Sequence, residues 1–326
     1  MKNKHHIIVE TERLKYEFDI RRNITVIQGD SATGKTTLVQ LLETYSRYGK
    51  DSGVRLQSDV PCVVFGGDTS LWKVAMETYQ GSIVFIDEDY SFIYSKEFAD
   101  VIQDTSNYYV LITRQPLYNL PYSVKEIYGI RTTGKYHYPE KIYNEFYRIY
   151  EDTDEKSSKD VIVMVEDSKS GYQFFSSICK KDACISVDGN SNFVSKIENA
   201  DKDKQVVVIA DGAAFGAYIA KVMAIAKSRK DVTMYFPESF EWVILKSGII
   251  NIKDIDSILA EPERYIESRD FFSWERYFTQ LLVDATSDSE IKKYDKSRLK
   301  PYYLEGKNRD SIIGVLPQSI RELFEE

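Results

Sequence analysis

The first candidate for chemistry is a glycine-containing segment that ends in lysine and threonine. Its letters are Gly-Asp-Ser-Ala-Thr-Gly-Lys-Thr at positions 29–36, after the apolar run Ile24–Gln28. This is the pattern G-x-x-x-x-G-K-[ST] between a strand and a helix, where backbone N–H groups converge on phosphate oxygens. The segment therefore predicts a phosphate-binding loop, and the alternative is a chance match in a strand-to-helix turn.

We predict that this loop binds ATP with Mg²⁺. Lys35 would bridge the β- and γ-phosphates, and the Thr36 hydroxyl would be a metal ligand. The predicted nucleotide-binding residues are Gly29, Asp30, Ser31, Ala32, Thr33, Gly34, Lys35, Thr36 and Thr37.

A second candidate is the apolar run Ile83–Ile86, which ends in two adjacent carboxylates, Asp87 and Glu88. We expect this strand to lie beside the phosphate loop, so that Asp87 holds the Mg²⁺ and its water shell. Glu88 would then orient and deprotonate the attacking water. This arrangement resembles additional-strand P-loop ATPases, and that resemblance implies hydrolysis of ATP rather than binding alone.

A third strand-like run, Tyr109–Ile112, ends in Thr113 and Arg114. Its position resembles the polar sensor that many ATPases carry on the strand next to the acidic one. Arg114 would then stabilise the charge of the transition state. The alternative is a turn residue at the end of a strand.

Acidic side chains also follow three strand-like runs in the second half of the chain. Glu166, Asp211 and Glu241 come at or shortly after the ends of the runs 161–165, 205–210 and 232–236. Acids at the carboxyl ends of neighbouring parallel strands meet at one edge of a sheet. Their oxygen atoms suit Mg²⁺ or Mn²⁺, so we predict a second metal site formed by these three carboxylates.

The order of these motifs resembles the Toprim domain of type IIA topoisomerases, bacterial primases and overcoming-lysogenization-defect nucleases. In that family a glutamate after the first strand and an Asp-x-Asp after a later strand bind catalytic Mg²⁺. Glu166 matches the glutamate and Asp211 the first aspartate, over a resemblance that covers about residues 161–250. Ala213 stands where the second aspartate belongs, and Asp167 replaces the usual glycine.

The departures from the Toprim pattern leave three alternatives open. An active nuclease would need its missing ligand from Asp167, Glu238 or Glu241. A degenerate Toprim module would use the same fold only to bind a partner. An unrelated α/β module would use the acids as helix caps.

Length and composition set the overall organisation. The chain has 326 residues, 43% of them hydrophobic, which favours two domains with real cores. We predict an α/β protein: a P-loop parallel-sheet domain at 1–150, a polar linker at 151–160, a smaller Toprim-like α/β domain at 161–250 and a helical segment at 251–326. Before the linker, 127–130 and 137–150 are expected to add a strand pair or a helix.

Charge and apolar patterning bear on partners and location. The net charge of −8 argues against a protein that coats DNA, but the basic run Lys292–Lys300 is either a solvated helix face or a contact to nucleic-acid phosphates. The apolar stretch Val206–Ala226 is interrupted by Asp211 and Lys221, which favours a strand, a turn and a helix over a membrane span. The three cysteines, without a secretory signal, predict a reduced, cytoplasmic protein.

The sequence leads to two main hypotheses for function. The first is an ATP-binding and hydrolysing protein coupled to a Toprim-like domain that acts on nucleic acid, because the pairing resembles the ATPase–Toprim nucleases of anti-phage defence. The second is an ATP-dependent switch or assembly protein with a catalytically degenerate Toprim-like domain that binds a protein partner or a second copy. A small-molecule kinase is disfavoured because no arginine-rich lid is visible.

Overall fold

The computed structural model describes residues 4–29, 34–133, 141–150, 160–180, 182–267 and 269–324, which form a mixed α/β protein. The chain divides into two compact units. The first contains Met1–Tyr150 and Glu263–Phe272, and the second contains Glu151–Pro262 and Ser273–Glu326.

The first unit is built on nine strands and three α-helices in its described part. The strands are β1 (His5–Glu10), β2 (Leu14–Ile20), β3 (Ile24–Ile27), β4 (Arg55–Gln57), β5 (Cys62–Val64), β6 (Ile83–Ile86), β7 (Tyr108–Ile112), β8 (Ile127–Thr132) and β9 (Ile142–Arg148). The helices are α1 (Lys35–Tyr48), α2 (Trp72–Thr78) and α3 (Lys96–Gln103).

All nine strands form one sheet in the order β4-β1-β2-β9-β8-β3-β7-β6-β5. The strands from β8 to β5 in this order run parallel, whereas β1 pairs with β2 and β4, and β8 with β9, in antiparallel fashion. Every residue of β3, β6 and β7 is buried, which explains their continuous apolar sequence. The predicted strands at these positions are therefore confirmed.

The order of three strands in this sheet bears on the predicted nucleotide site. β7 lies between β3 and β6, so one strand separates the strand that ends in Asp87 from the phosphate-loop strand. Val26 pairs with Leu111, and Phe85 pairs with Val110. Apart from the buried Thr25 of β3 the three strands are apolar or aromatic, so their composition does not show which of them lies in the middle.

The second unit contains four strands and nine α-helices in its described part. The strands are β10 (Val161–Val165), β11 (Cys184–Ser186), β12 (Gln205–Ile209) and β13 (Val232–Tyr235). The helices are α4 (Ser170–Ile178), α5 (Phe193–Glu198), α6 (Gly216–Ser228), α7 (Phe240–Lys246), α8 (Ile255–Ala260), α9 (Trp274–Thr286), α10 (Pro301–Leu304), α11 (Gly306–Val315) and α12 (Gln318–Arg321).

In the two units together, single 3₁₀ turns occur at Gly49–Ser52, Thr69–Leu71, Ser91–Tyr94, Val124–Glu126, Asn190–Asn192 and Pro262–Arg264.

The four strands of the second unit are parallel in the order β11-β10-β12-β13. The strand order reverses between β10 and β12, and this is where ligands bind in open α/β sheets. Helix α7 packs against α9 and α11, so helices from the predicted 251–326 segment pack in the same unit as the sheet. Helix α8 ends at Ala260, two residues before Pro262, as expected of a helix-breaking proline.

Two further sequence expectations can be compared with the described chain. The region 127–150 supplies the strand pair β8 and β9, although residues 137–140 lie outside the described part. The expectation of a solvated helix face at Lys292–Lys300 is wrong, because these residues form a loop that buries Tyr294 and Leu299. Helices of the length and apolarity needed to cross a bilayer do not occur among the described residues.

Candidate functional site

The ends of three adjacent strands bring the predicted nucleotide residues to one edge of the first sheet. Strands β3, β7 and β6 are neighbours and parallel, so their carboxyl ends lie side by side. The phosphate loop follows β3, Thr113 and Arg114 follow β7, and the Asp87–Glu88 pair follows β6. The edge therefore presents a cation, a hydroxyl group and two carboxylates next to a helix N-terminus.

The phosphate loop is described at its two ends, while the predicted residues Asp30–Thr33 lie outside the described part. Lys35 is buried, and its Nζ donates a hydrogen bond to the Gly29 carbonyl at 2.7 Å. Gly34 has a φ of 89°, a region that favours glycine, and a Cβ there would lie 2.8 Å from the Tyr16 hydroxyl. The Lys35 ammonium group therefore contacts the first residue of the loop, and the Tyr16 hydroxyl leaves no room for a side chain at Gly34.

Tyr16 is a loop contact that the sequence pattern did not reveal. Its hydroxyl donates to the Gly34 carbonyl at 3.0 Å, and burial raises its pKa although a hydrogen bond with Thr37 acts in the opposite direction. Thr36, the predicted metal ligand, is exposed at the start of α1. Tyr16 lies on β2, away from the motif in sequence, and no spacing rule connects the two.

The two acids that follow β6, Asp87 and Glu88, lie in different environments. Asp87 Oδ1 accepts a hydrogen bond from the Glu88 N–H at 2.7 Å, and burial, with Asp89 and Glu88 nearby, raises the pKa of Asp87. Glu88 Oε1 lies 2.9 Å from Arg114 Nη2, and these side chains are 31% and 57% exposed. The structure therefore pairs the predicted general base with the predicted sensor arginine.

Thr113 anchors the end of β7 from which Arg114 projects. Its buried hydroxyl lies 2.7 Å from the Tyr94 hydroxyl and donates to the Gln115 carbonyl at 2.9 Å. These bonds hold the backbone at the strand end, while the Arg114 side chain is more than half exposed. The residues of this edge fit a magnesium nucleotide, because a cradle that excludes a Cβ lies beside a lysine, a hydroxyl and a carboxylate.

In the second unit, Glu166 and Asp211 lie at the ends of the adjacent strands β10 and β12. The Asp211 N–H donates to Glu166 Oε2 at 3.0 Å, and the Phe240 N–H donates to Asp211 Oδ1 at 3.1 Å. Both acids line a cavity of about 20 Å³, which is room for about one water molecule. The sequence prediction that these two acids lie together agrees with this geometry.

Lys296 lies among the acids of this unit. Its Nζ is 2.7 Å from Glu275 Oε1, 3.6 Å from Glu241 Oε1 and 4.0 Å from Asp211 Oδ2. Burial would lower the pKa of Lys296, but Glu241, Asp211 and Glu275 together raise it. We call Glu166, Asp211, Glu241, Glu275 and Lys296 the acidic centre.

Glu241 is the most enclosed carboxylate of the acidic centre, with a fully buried side chain. Tyr294 donates to Glu241 Oε1 at 2.6 Å, and the Tyr294 hydroxyl also lies 2.8 Å from Ser170 Oγ. Within the described chain, Glu241 Oε2 is buried without a hydrogen-bond partner. Burying a carboxylate oxygen without a hydrogen-bond partner costs free energy, so the position of Glu241 is unfavourable for stability.

The acidic centre, as arranged, does not fit a divalent ion. Its oxygens are the right ligand type, but the Lys296 ammonium lies where their charges converge, and Ala213 has no oxygen to offer. No group of three or more His, Cys, Asp or Glu residues in the described ranges is arranged to hold a metal ion. Asp167, another candidate ligand, instead accepts the Lys169 N–H at 2.9 Å within its own turn.

Sequence reasoning missed two members of the acidic centre. Lys296 was noted only as part of the basic run, and Glu275 stands in the first turn of α9 with no motif around it. The run holds one acid, Asp295, among five basic residues, so its composition gave no sign that Lys296 contacts several carboxylates. The partners of Lys296 come from distant parts of the chain, so only the fold reveals them.

Glu166 should make the stability of the second unit depend on pH. Burial, followed by the negative charges of Glu275 and Asp167, raises its pKa from 4.5 to about 7. The folded protein therefore holds this proton more tightly than the unfolded chain, and stability falls as the pH rises from about 4.5 to about 7. Replacing Glu166 with Gln should remove up to about 3 kcal/mol of this pH dependence.

Urea unfolding at pH 5 and pH 8 measures the effect. Wild type should lose more stability than Glu166→Gln between the two pH values, whereas Asp203→Asn, which removes an exposed acid before β12 in the same unit, should behave like wild type. Equal losses in wild type and Glu166→Gln would contradict the prediction.

Comparison of the chain with protein-family models, with curated proteins and with solved structures gave no match.

Proposed function

We propose that the first unit binds Mg²⁺ and ATP and hydrolyses the nucleotide. The observation that supports this most strongly is the convergence of Lys35, the Asp87–Glu88 pair and Arg114 at the ends of three adjacent parallel strands. An inserted strand between the phosphate-loop strand and the acidic strand is the arrangement that gives additional-strand P-loop ATPases their name. The proposal therefore includes that architecture for residues 1–150.

Each residue of the edge has a defined task in this proposal. Lys35 and the backbone of the loop would bind the phosphates. Thr36 and Asp87 would hold Mg²⁺, which when bound neutralises phosphate charge. Glu88 would take the proton of the attacking water once Arg114 turns from the carboxylate to the phosphates, where its charge opposes that of the transition state.

Calorimetry with ATP and Mg²⁺ tests the proposal. Wild type should release or absorb heat with a saturable profile, and Lys35→Ala should bind at least tenfold more weakly because a charge-assisted contact is lost. Lys50→Ala is the matched control, since Lys50 is an exposed lysine just after the same helix. Absence of binding by wild type, or equal binding by Lys35→Ala, would overturn the proposal.

We further propose that the second unit is a Toprim-like module that binds a partner and is controlled by the nucleotide state of the first. Two observations favour partner binding over cleavage of nucleic acid: Lys296 lies among the carboxylates, and Ala213 replaces a ligand. The partner would be a nucleic acid, a protein or a second copy of the chain. The combination of the two units resembles the ATPase–Toprim nucleases of anti-phage defence, so the proposal includes a role in such defence.

Incubation with plasmid DNA, ATP and either Mg²⁺ or Mn²⁺ distinguishes the two hypotheses for the second unit, partner binding and cleavage of nucleic acid. The proposal expects the plasmid to stay intact. Cleavage by wild type that disappears in Glu166→Gln would instead establish a nuclease that acts on nucleic acid.

A further inference from the structure

We infer that Tyr94 is a positioning residue for ATP hydrolysis. Its hydroxyl holds Thr113 at the end of β7, and through Thr113 it fixes the point from which Arg114 projects toward the nucleotide. The inference rests on the proposed ATPase activity of the first unit. It adds to that proposal a residue that belongs to none of the sequence motifs and acts through another side chain.

Side chains join β7 to the segment after β6, beyond the end of their ladder. The last pair of this ladder is Ile86 with Leu111. Beyond it, the Tyr94 hydroxyl lies 2.7 Å from Thr113 Oγ1. Asn119 Nδ2 donates to the Tyr94 carbonyl at 2.8 Å. The contact between the two hydroxyls therefore lies one residue before the predicted sensor arginine.

The other partners of Thr113 fix the direction of its hydrogen bond with Tyr94. A threonine hydroxyl has one proton to donate and two lone pairs that accept. Thr113 donates its proton to the Gln115 carbonyl at 2.9 Å and accepts the Gln115 N–H at 3.0 Å. One lone pair is left, so Tyr94 is the donor. Because Thr113 is fully buried, loss of this donor would leave the lone pair without a partner.

Both ends of this hydrogen bond are held by the core of the unit. The Thr113 N–H donates to the Ile27 carbonyl at 3.1 Å, at the end of the phosphate-loop strand β3. Tyr94 is the last residue of the 3₁₀ turn Ser91–Tyr94, whose two central residues are buried. The hydrogen bond thus connects the segment after the acidic pair to a strand end that also contacts the phosphate-loop strand.

Arg114 depends on this support because its own side chain is weakly held. It is 57% exposed, and its ion pair with Glu88 at 2.9 Å lies partly in water. A displacement of about 1 Å at a reacting centre can cost about a hundredfold in rate. A shift of Thr113 would therefore slow hydrolysis, whereas Lys35, which follows a different strand, would hold the phosphates as before.

Steady-state phosphate release by full-length Tyr94→Phe, measured over a range of ATP concentrations, tests the inference. kcat should fall about tenfold while KM for ATP changes by less than about twofold, because a displaced arginine affects the reaction more than binding. Tyr48→Phe is the matched control, since Tyr48 carries an exposed hydroxyl elsewhere in the same unit.

The acceptor side of the hydrogen bond gives a second test, which also serves should Tyr94→Phe fail to fold. Thr113→Val removes the acceptor and should lower kcat at least as much as Tyr94→Phe. Thr113→Ser keeps the hydroxyl and should stay near wild type.

An Arg114→Ala background separates positioning from a general loss of stability. Since Tyr94 acts through Arg114, Tyr94→Phe should lower the rate of Arg114→Ala no further. A weakened fold would instead lower the rate by the same factor in both backgrounds. That result would overturn the inference, as would a kcat of Tyr94→Phe within about twofold of wild type.

Calorimetry with Mg²⁺ and an ATP analogue that resists hydrolysis counts the binding-competent protein in each sample, so that misfolded material is not mistaken for slow turnover. Hydrolysis by wild type together with an unchanged kcat in Tyr94→Phe would contradict only the role of Tyr94. Absence of both binding and hydrolysis in wild type would contradict the proposed ATPase and this inference with it.

Discussion

Replacing Glu88 with Gln is expected to slow ATP hydrolysis by at least about a hundredfold, since general-base catalysis typically contributes a factor of 10² to 10⁴. Binding of ATP should change little, because the variant keeps the shape of the side chain and leaves Lys35 in place. Phosphate release under steady-state conditions measures the rate, and calorimetry on the same preparation measures binding.

The matched control for this prediction is Glu97→Gln, which removes an exposed carboxylate that pairs with Lys73 elsewhere in the same unit. It should leave both hydrolysis and binding unchanged. The pair between Glu88 and Arg114 is partly exposed, so its loss should cost about 1 kcal/mol of stability. A hydrolysis rate within threefold of wild type would show that Glu88 is not the base.

Replacing Gly212 with Ala is expected to destabilise the second unit by about 2–3 kcal/mol, the usual cost of overpacking a close contact. A Cβ at this position would lie 2.6 Å from the Phe236 carbonyl oxygen and 2.8 Å from the Pro237 carbonyl oxygen. Both are backbone atoms, which cannot rotate away as a side chain can. The Gly212 N–H also donates to the Pro237 carbonyl, so relief of the clash would weaken this bond.

Gly314→Ala is the control for the same chemical change. Gly314 lies in α11, and a Cβ there would meet none of the described atoms within 4 Å. Alanine should therefore raise stability by about 0.5–1 kcal/mol through its better helix propensity. Urea unfolding of the two variants beside wild type measures both effects, and a Gly212→Ala variant as stable as wild type would refute the proposed close approach.

The parts of the fold that sequence could predict are those in which one periodicity dominates. β3, β6 and β7 are continuous apolar runs because both of their faces are covered, and each appeared where expected. The N-terminal strands β1 and β2 were not predicted, although apolar and polar residues alternate strictly along β2, which is a strand signal. The order of the strands could not be predicted, because apolar strands of similar composition can pair with one another in several orders.

The candidate sites were also predictable from sequence only in part. The residues at strand ends could be placed from sequence, because Asp87 and Glu166 directly follow apolar runs and Lys35 belongs to the loop that follows another such run. The acidic centre could not be completed, since the ion pair between Lys296 and Glu275 joins a loop to a helix. The positive charge of the run Lys292–Lys300 indicated a surface that could contact nucleic-acid phosphates. In the structure Tyr294 is buried, so part of that run faces the interior of the unit.

The ten residues Glu263–Phe272 belong to the first unit, although the chain on both sides of them belongs to the second. Neither unit is therefore a continuous piece of polypeptide, and a single truncation after Tyr150 would remove part of the first one. Isolating the second unit would in turn require the ten residues between Pro262 and Ser273 to be removed or bridged.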